Sequence, residues 1–232
     1  MNLPNKQGLY DPANEKDSCG VGFIVNVNGE ESFGIVKKGL EILKNMEHRG
    51  AVGSDPKTGD GAGILTQIPD DFFKIYCNND GIDLPKKGEY GIGMLFLPKE
   101  PALRLQCEGI FERIIETVGH KSLGWRFVPT DNRVIGETAR GTEPVVRQVF
   151  VAKQGECSQE DFERDLYLIR RKTENEINKL VKRNKEYFYI CSLSSKTIVY
   201  KGLLLAEQIE KYYLDLNDIN FKSAMALVHQ RF

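Results

Sequence analysis

An α+β fold, in which antiparallel sheets are covered by helices, is predicted by three features of the chain. Its strand-like stretches are short, and the turn signals between them favour hairpin pairing. Its helical stretches carry apolar residues at helical spacing and have recognisable caps. Strands and helices do not alternate one for one, as a parallel doubly wound sheet would demand.

Val21, Phe23, Val25 and Val27 alternate with smaller or polar residues, which is strand periodicity, and Asn28-Gly29 closes the strand. Ser32 is read as the cap of a helix with Ile35, Ile42, Leu43 and Met46 on its apolar side, Gly39 on the same stripe, and Gly50 as its end. Ile64–Ile68 reads as a strand stopped by Pro69, and Asp70 as the cap of a helix through Cys77. Tyr90–Leu97 is an apolar strand, and Pro101 opens a helix closed by Gly119. Leu123–Val128 and Val145–Ala152 read as strands, with 130–143 irregular between them. Ser158 caps a long helix reaching about Asn184. Tyr187–Leu193 and Thr197–Tyr200 flank Ser194-Ser195 as a hairpin, and Leu203–Tyr213 reads as a short helix. In the last strand Met225, Leu227, His229 and Arg231 share one face, with Ala224, Ala226, Val228 and Gln230 on the other.

The 232 residues carry 32 basic and 33 acidic side chains, a net charge of -1, which argues against nucleic-acid binding through a basic face. Clusters such as Arg170-Arg171-Lys172 read as solvated helix faces. The five cysteines, Cys19, Cys77, Cys107, Cys157 and Cys191, are scattered, with no C-x-x-C and no close histidine. That spacing excludes a zinc ribbon, a cluster ligated within this chain, or a disulfide framework, and it fits a reducing compartment. No apolar run reaches the ~18–20 residues of a membrane span. The first 18 residues lack the apolar core of a secretory signal. A cytoplasmic protein without membrane contact is expected.

Chemistry concentrates where the polar leader stops, at Asp17-Ser18-Cys19-Gly20. A thiol is the most nucleophilic side chain near neutral pH, and it becomes potent once a base is in reach. Gly20 permits close approach beside the sulfur, and the following strand would hold it on a rigid element. Were the leader removed, the α-amine of Cys19 itself, with a reference pKa near ~7.7–8.0, could serve as that base. The plain alternative is one more buried, inert thiol. Residues 48–63 hold five glycines, a composition suited to backbone approach to a ligand or to a tight irregular loop, without the Gly-Lys-Ser/Thr of a phosphate loop. Arg49 doubles as a helix-end cation. His48 or His229 could pair with Cys19 in the manner of papain, though no local protease signature is present. His120 has no evident partner and is expected at the surface.

Cys19-Gly20-Val21-Gly22-Phe23, His48-Arg49-Gly50-Ala51 and Thr58-Gly59-Asp60-Gly61-Ala62-Gly63, with Ser192–Gly202 and His229-Gln230-Arg231-Phe232, resemble the glutaminase (class II glutamine amidotransferase) domain of glutamate synthase large subunits. The likeness covers essentially the whole chain. The resemblance implies an N-terminal nucleophile hydrolase fold, a four-layer αββα sandwich with antiparallel sheets. It implies that residues 1–18 are a leader and 19–232 the amidotransferase domain. Cys19 would attack the side-chain amide of glutamine, giving a glutamyl thioester and ammonia destined for 2-oxoglutarate. Arg49 would support the thiolate, and Arg231 would grip the α-carboxylate of glutamine, for which a planar guanidinium is suited. The family's asparagine–glycine oxyanion donors, and the acid that holds the α-amine, follow the H-x-R-F strand, so they are expected beyond Phe232 and the domain is expected to be incomplete. No cofactor is expected in this chain. FMN and an iron–sulfur cluster are implied for later domains, with those synthase domains and a reductase subunit as partners. Two alternatives stay open: another class II amidotransferase, and a non-catalytic module binding glutamine or a partner protein.

Overall fold

The computed structural model describes residues 6–8, 11, 19–183 and 187–231; most of the expected leader and Asn184 lie outside them. The elements run β1 (Gly20–Val25), α1 (Phe33–Asn45), β2 (Ala62–Gln67), α2 (Asp70–Asn79), β3 (Tyr90–Leu97), α3 (Pro101–Val118), β4 (Lys121–Phe127) and α4 (Glu137–Thr142). They continue as β5 (Val145–Ala152), α5 (Gln159–Arg183), β6 (Tyr189–Ser194), β7 (Thr197–Gly202), α6 (Ile209–Tyr212) and β8 (Met225–Gln230). Two four-stranded sheets form, ordered β1-β8-β2-β7 and β4-β5-β3-β6, and every pairing in them is antiparallel. The α+β expectation, two antiparallel sheets with helices, is borne out.

Small residues explain how α1 meets the first sheet. A Cβ on Gly22 would lie 2.5 Å from Ile42 Cγ2, and one on Gly39 would lie 2.6 Å from Ala226 Cβ. The covered face of β1 is therefore the glycine face. The larger side chains of the alternation point away, with Val21, Phe23 and Val25 exposed at 59%, 70% and 50%. Across the second sheet, Gly91 and Gly93 leave room for Leu166 of α5 and for Val149, while Leu95, Leu97 and Val151 pack with Phe111, Ile115 and Ile169 of α3 and α5. The opposite face of that sheet, with Tyr90, Ile92, Met94 and Phe150, joins the same core as Ile64, Tyr200, Ala226 and Val228 of the first.

A polar ring bolts the sheets together inside that core. Arg126 of β4 donates to both carboxylate oxygens of Asp215 at 2.8 and 2.9 Å and to Gln148 Oε1 at 2.9 Å. Gln148 Nε2 donates to the Tyr200 hydroxyl at 2.9 Å, and that hydroxyl donates to Asp215 at 2.8 Å. Burial pushes the Tyr200 hydroxyl well above its usual pKa, so it stays protonated and keeps donating.

Several caps stand where the sequence puts them. Ser32 Oγ accepts from the Ile35 N–H, Ser158 Oγ accepts from the Asp161 N–H, and Gly119 adopts φ 101° at the end of α3. Other expectations need correction. Helix α1 ends at Asn45, followed by a 3-10 turn over Glu47–Arg49, and Gly50 has an extended φ of −89°. Glycine there makes room for a contact, since a Cβ would sit 2.2 Å from Nε2 of the buried Gln230 and that side chain would have to move. Asp70 lies inside the first turn of α2 and makes no cap; its carboxylate instead accepts from the Tyr90 hydroxyl at 2.8 Å. The 130–143 stretch holds a 3-10 turn at Asn132–Val134 as well as α4. The proposed Leu203–Tyr213 helix is broken into a 3-10 turn (Ala206–Gln208) and the short α6.

The Ser194-Ser195 turn joins no hairpin: β6 belongs to the second sheet and β7 to the first. Glu163 of α5 explains the crossing, because its carboxylate accepts from Ser194 Oγ at 3.0 Å and from the Ser195 N–H at 2.5 Å. It thereby pins the turn against the helix. His120 is buried, not superficial. Its Nδ1 accepts from the Gln154 N–H at 3.2 Å and its Nε2 faces Asp165 at 3.1 Å. Its partners come from two elements distant in sequence, which is why the sequence shows none. Arg170 departs from the solvated-face reading too, with Glu174 and the Ile190 carbonyl as partly buried partners.

Candidate active site

One end of the first sheet gathers the predicted residues. The ladder places Gly20 of β1 opposite Gln230 of β8, and Gln230 opposite Ala62 of β2. Cys19 precedes Gly20 and Arg231 follows Gln230, so these two leave the sheet at the same end on neighbouring strands. Arg49 joins them through the 3-10 turn after α1. A Cβ on Gly20 would lie 3.1 Å from Arg49 Cβ and 3.2 Å from its Cγ. The stem of Arg49 thus rests on the residue beside the sulfur, and a side chain there would have to push it aside by a few tenths of an ångström. The side chain of Gln230, almost wholly buried, passes over Gly50 and ties the His48-Arg49-Gly50 turn to the strand that delivers Arg231.

Arg231 is the one non-glycine residue with positive φ, 78°, among the described residues. A left-handed conformation costs such a residue about 1–2 kcal/mol. Its N–H donates to the Gly61 carbonyl at 2.7 Å, and its Nε forms an ion pair with Asp60 Oδ2 at 3.2 Å. Asp60 was not singled out in the sequence. The signal available was an acid inside a glycine-rich loop, where it packs no core and caps no helix.

The loop itself is firmly built. Val52 and Gly59 form a bridge, and Asp55 accepts from the Lys57 N–H at 3.0 Å and from Thr58 Oγ1 at 3.0 Å. Those hydrogen bonds, the Lys57 one foremost, hold the Asp55 carboxyl below the usual carboxylate range. The Lys57 carbonyl in turn accepts from Gln208 Nε2 at 2.9 Å and from the Gly136 N–H at 3.1 Å. A Cβ on Gly59 would fall 2.5 Å from the Leu204 carbonyl carbon and oxygen. Because the obstacle is backbone, Gly59→Ala is expected to lower stability by about 1–3 kcal/mol. Gly53→Ala, whose nearest neighbour would be 3.8 Å away, is expected to change little; thermal unfolding of both variants checks this.

Cys19 is exposed, whereas Cys77, Cys107 and Cys191 are buried. Burial pushes the thiols of Cys77 and Cys191 up to about 12 and that of Cys107 up to about 11, so these three stay protonated and inert at neutral pH. Cys157 is half-buried in the turn before α5, the helix that packs on the second sheet. His229 pairs with Val21 in the ladder, and alternation puts its side chain on the sheet face opposite Gln230. Among the described residues no group of three or more His, Cys, Asp or Glu could hold a metal ion, and no helix is long and apolar enough to cross a membrane.

Comparison with known proteins adds family and relatives. The model of the family described as glutamine amidotransferases class-II matches residues 19–232. The chain is 47% identical over 231 residues to the glutamate synthase (NADPH) large chain of Bacillus subtilis, covering 99% of this chain and 15% of that one. It is 43% identical over 236 residues to the glutamate synthase (NADH) of Schizosaccharomyces pombe, covering 99% and 11%. Against the ferredoxin-dependent glutamate synthase 1 of Arabidopsis thaliana it is 39% identical over 229 residues, covering 99% and 14%. The chain therefore spans only about a seventh or less of the relatives it matches.

Proposed function

The chain belongs to the class-II glutamine amidotransferase family, and from that premise we propose that it carries the glutaminase half-reaction of a glutamate synthase. The observation that carries this reading is the convergence of Cys19, Arg49 and Arg231 at one end of the first sheet.

In the proposed mechanism residues 1–18 are removed, and the α-amine of Cys19 takes the proton from its own thiol. The thiolate attacks the side-chain carbonyl of glutamine. The C–N bond breaks as the amine returns the proton, releasing ammonia and leaving a glutamyl thioester on Cys19. Water then cleaves the thioester to glutamate and restores the thiol. The Arg49 stem packs beside Gly20; in this proposal its guanidinium supports the sulfur anion of the attacking nucleophile, and Arg231 binds the α-carboxylate as a planar fork.

For the longer parent the proposal continues: the ammonia is added to 2-oxoglutarate in synthase domains, with FMN and an iron–sulfur cluster in those later domains and a reductase subunit supplying electrons. The relatives' names give both nicotinamide and ferredoxin donors, while each is 39–47% identical to this chain over 99% of its length; that supports a glutamine-handling part separate from the reductive chemistry.

The intact mass of the purified chain tests the processing step. A species beginning at Cys19 is the expected result, with glutamate and ammonia formed from glutamine in equal amounts by the longer parent, which would carry the oxyanion donors. A Cys19 species of that parent that binds glutamine without turnover would favour the non-catalytic module. Glutamine left unbound by that species would sink the reading altogether.

A further inference from the structure

We propose that Asp60 is a positioning residue for the substrate-binding arginine, its carboxylate holding the Arg231 guanidinium through Nε so that the fork meets a substrate carboxylate in one orientation. This deepens the reading of Arg231 given above and rests on it.

Three observations carry the inference. Asp60 Oδ2 lies 3.2 Å from Arg231 Nε, with both side chains largely covered. Both carboxylate oxygens of Asp60 are shielded from solvent and accept no hydrogen bond among the described residues. A carboxylate removed from water without donors is costly, so the neighbouring guanidinium is what compensates it. Finally, the two residues are fixed to each other through the backbone as well. Arg231 N–H donates to Gly61 O at 2.7 Å, and Asp60 N–H donates to Ala51 O at 3.1 Å. Asp60 thus stands on a loop anchored at Val52–Gly59 and at Lys57, and it faces an arginine whose φ of 78° is itself strained.

An acid beside a substrate-binding cation has two opposed effects. It lowers the net positive charge seen by an arriving carboxylate, which would weaken binding. It also removes rotational freedom from a long side chain, and bidentate binding depends on the orientation of the guanidinium plane. The two effects predict opposite signs when Asp60 is made neutral. Positioning requires that loss of the acid weakens binding.

The test is calorimetric titration of the whole chain beginning at Cys19, as wild type, Asp60→Asn and Asp60→Glu, with L-glutamine and with 4-carbamoylbutanoate, which keeps the carboxylate and lacks the α-amine. Expected is a loss of about tenfold for Asp60→Asn, between the scales of an exposed and a buried ion pair, equal for both ligands and partly restored by Asp60→Glu. The Arg231 Nε–H resonance of the ligand-free chain, sharp in the wild type where the ion pair limits side-chain motion, should broaden in Asp60→Asn while the unfolding temperature stays the same. Tighter or unchanged binding overturns the inference, and so does a loss confined to L-glutamine, which would make Asp60 a ligand of the amine. No binding of glutamine to the wild type overturns the glutamine-site reading first and this inference with it.

Discussion

Replacing Cys19 by alanine is expected to lower glutamine hydrolysis by on the order of 10⁴-fold or more, the scale on which loss of a covalent nucleophile acts. No other thiol can substitute. Three are buried and held protonated, and Cys157 stands in the turn before α5, on the helix side of the second sheet. The alanine chain should keep its unfolding temperature, because Cys19 is exposed and precedes the ladder. The measurement is ammonia release alongside the mass gained from an electrophilic glutamine analogue. Wild type should gain one adduct, on Cys19, and the alanine chain none. An adduct on any other cysteine, or turnover within tenfold of wild type, would refute the assignment.

Breaking the polar ring is expected to have the largest effect on stability. Asp215→Ala leaves the Arg126 guanidinium, only 4% exposed, without its counter-ion between the sheets. Removing one partner of a buried pair costs about 3–5 kcal/mol, which equilibrium unfolding in urea would read directly. Replacing both partners, Arg126→Met with Asp215→Leu, removes the orphaned charge and should recover part of the loss. Full recovery is not expected, because Gln148 Oε1 would lose its donor and the Tyr200 hydroxyl its acceptor. A single variant milder than the double one would show that the ring contributes little.

What could be read from the sequence was whatever depends on neighbours along the chain. Ser32, Ser158, Pro101 and Gly119 act within a turn of their own position, so capping chemistry placed them. Period-two alternation gave β8 with its two faces correctly divided, Ala226, Val228 and Gln230 being the buried side. Gly50 looked like a helix terminator from its place in the chain; its actual constraint, contact with Gln230, joins residues 180 positions apart. The hairpin assigned to Ser194-Ser195 failed for the same kind of reason, since Glu163 comes from another helix. At the site, Cys19, Arg49 and Arg231 could be named because motif resemblance marked them. Asp60 could not, because its significance lies in an ion pair with a residue at the far end of the chain.

That distance has a consequence for biosynthesis. Among the described residues strand β1 pairs with β8 and with no other strand, Val25 facing Met225, two hundred positions downstream. At about 5–20 residues per second, the first strand waits roughly 10–40 s on the ribosome before its partner exists. During that interval Val21, Phe23 and Val25 have no ladder to join, and the contacts that close it are among the least local in the chain. Arg231 is made later still, so a nascent chain holds Cys19 before the residue that shares its end of the sheet exists. The order of synthesis thus leaves the Cys19 thiol without Arg231 at its end of the sheet until the first sheet is finished.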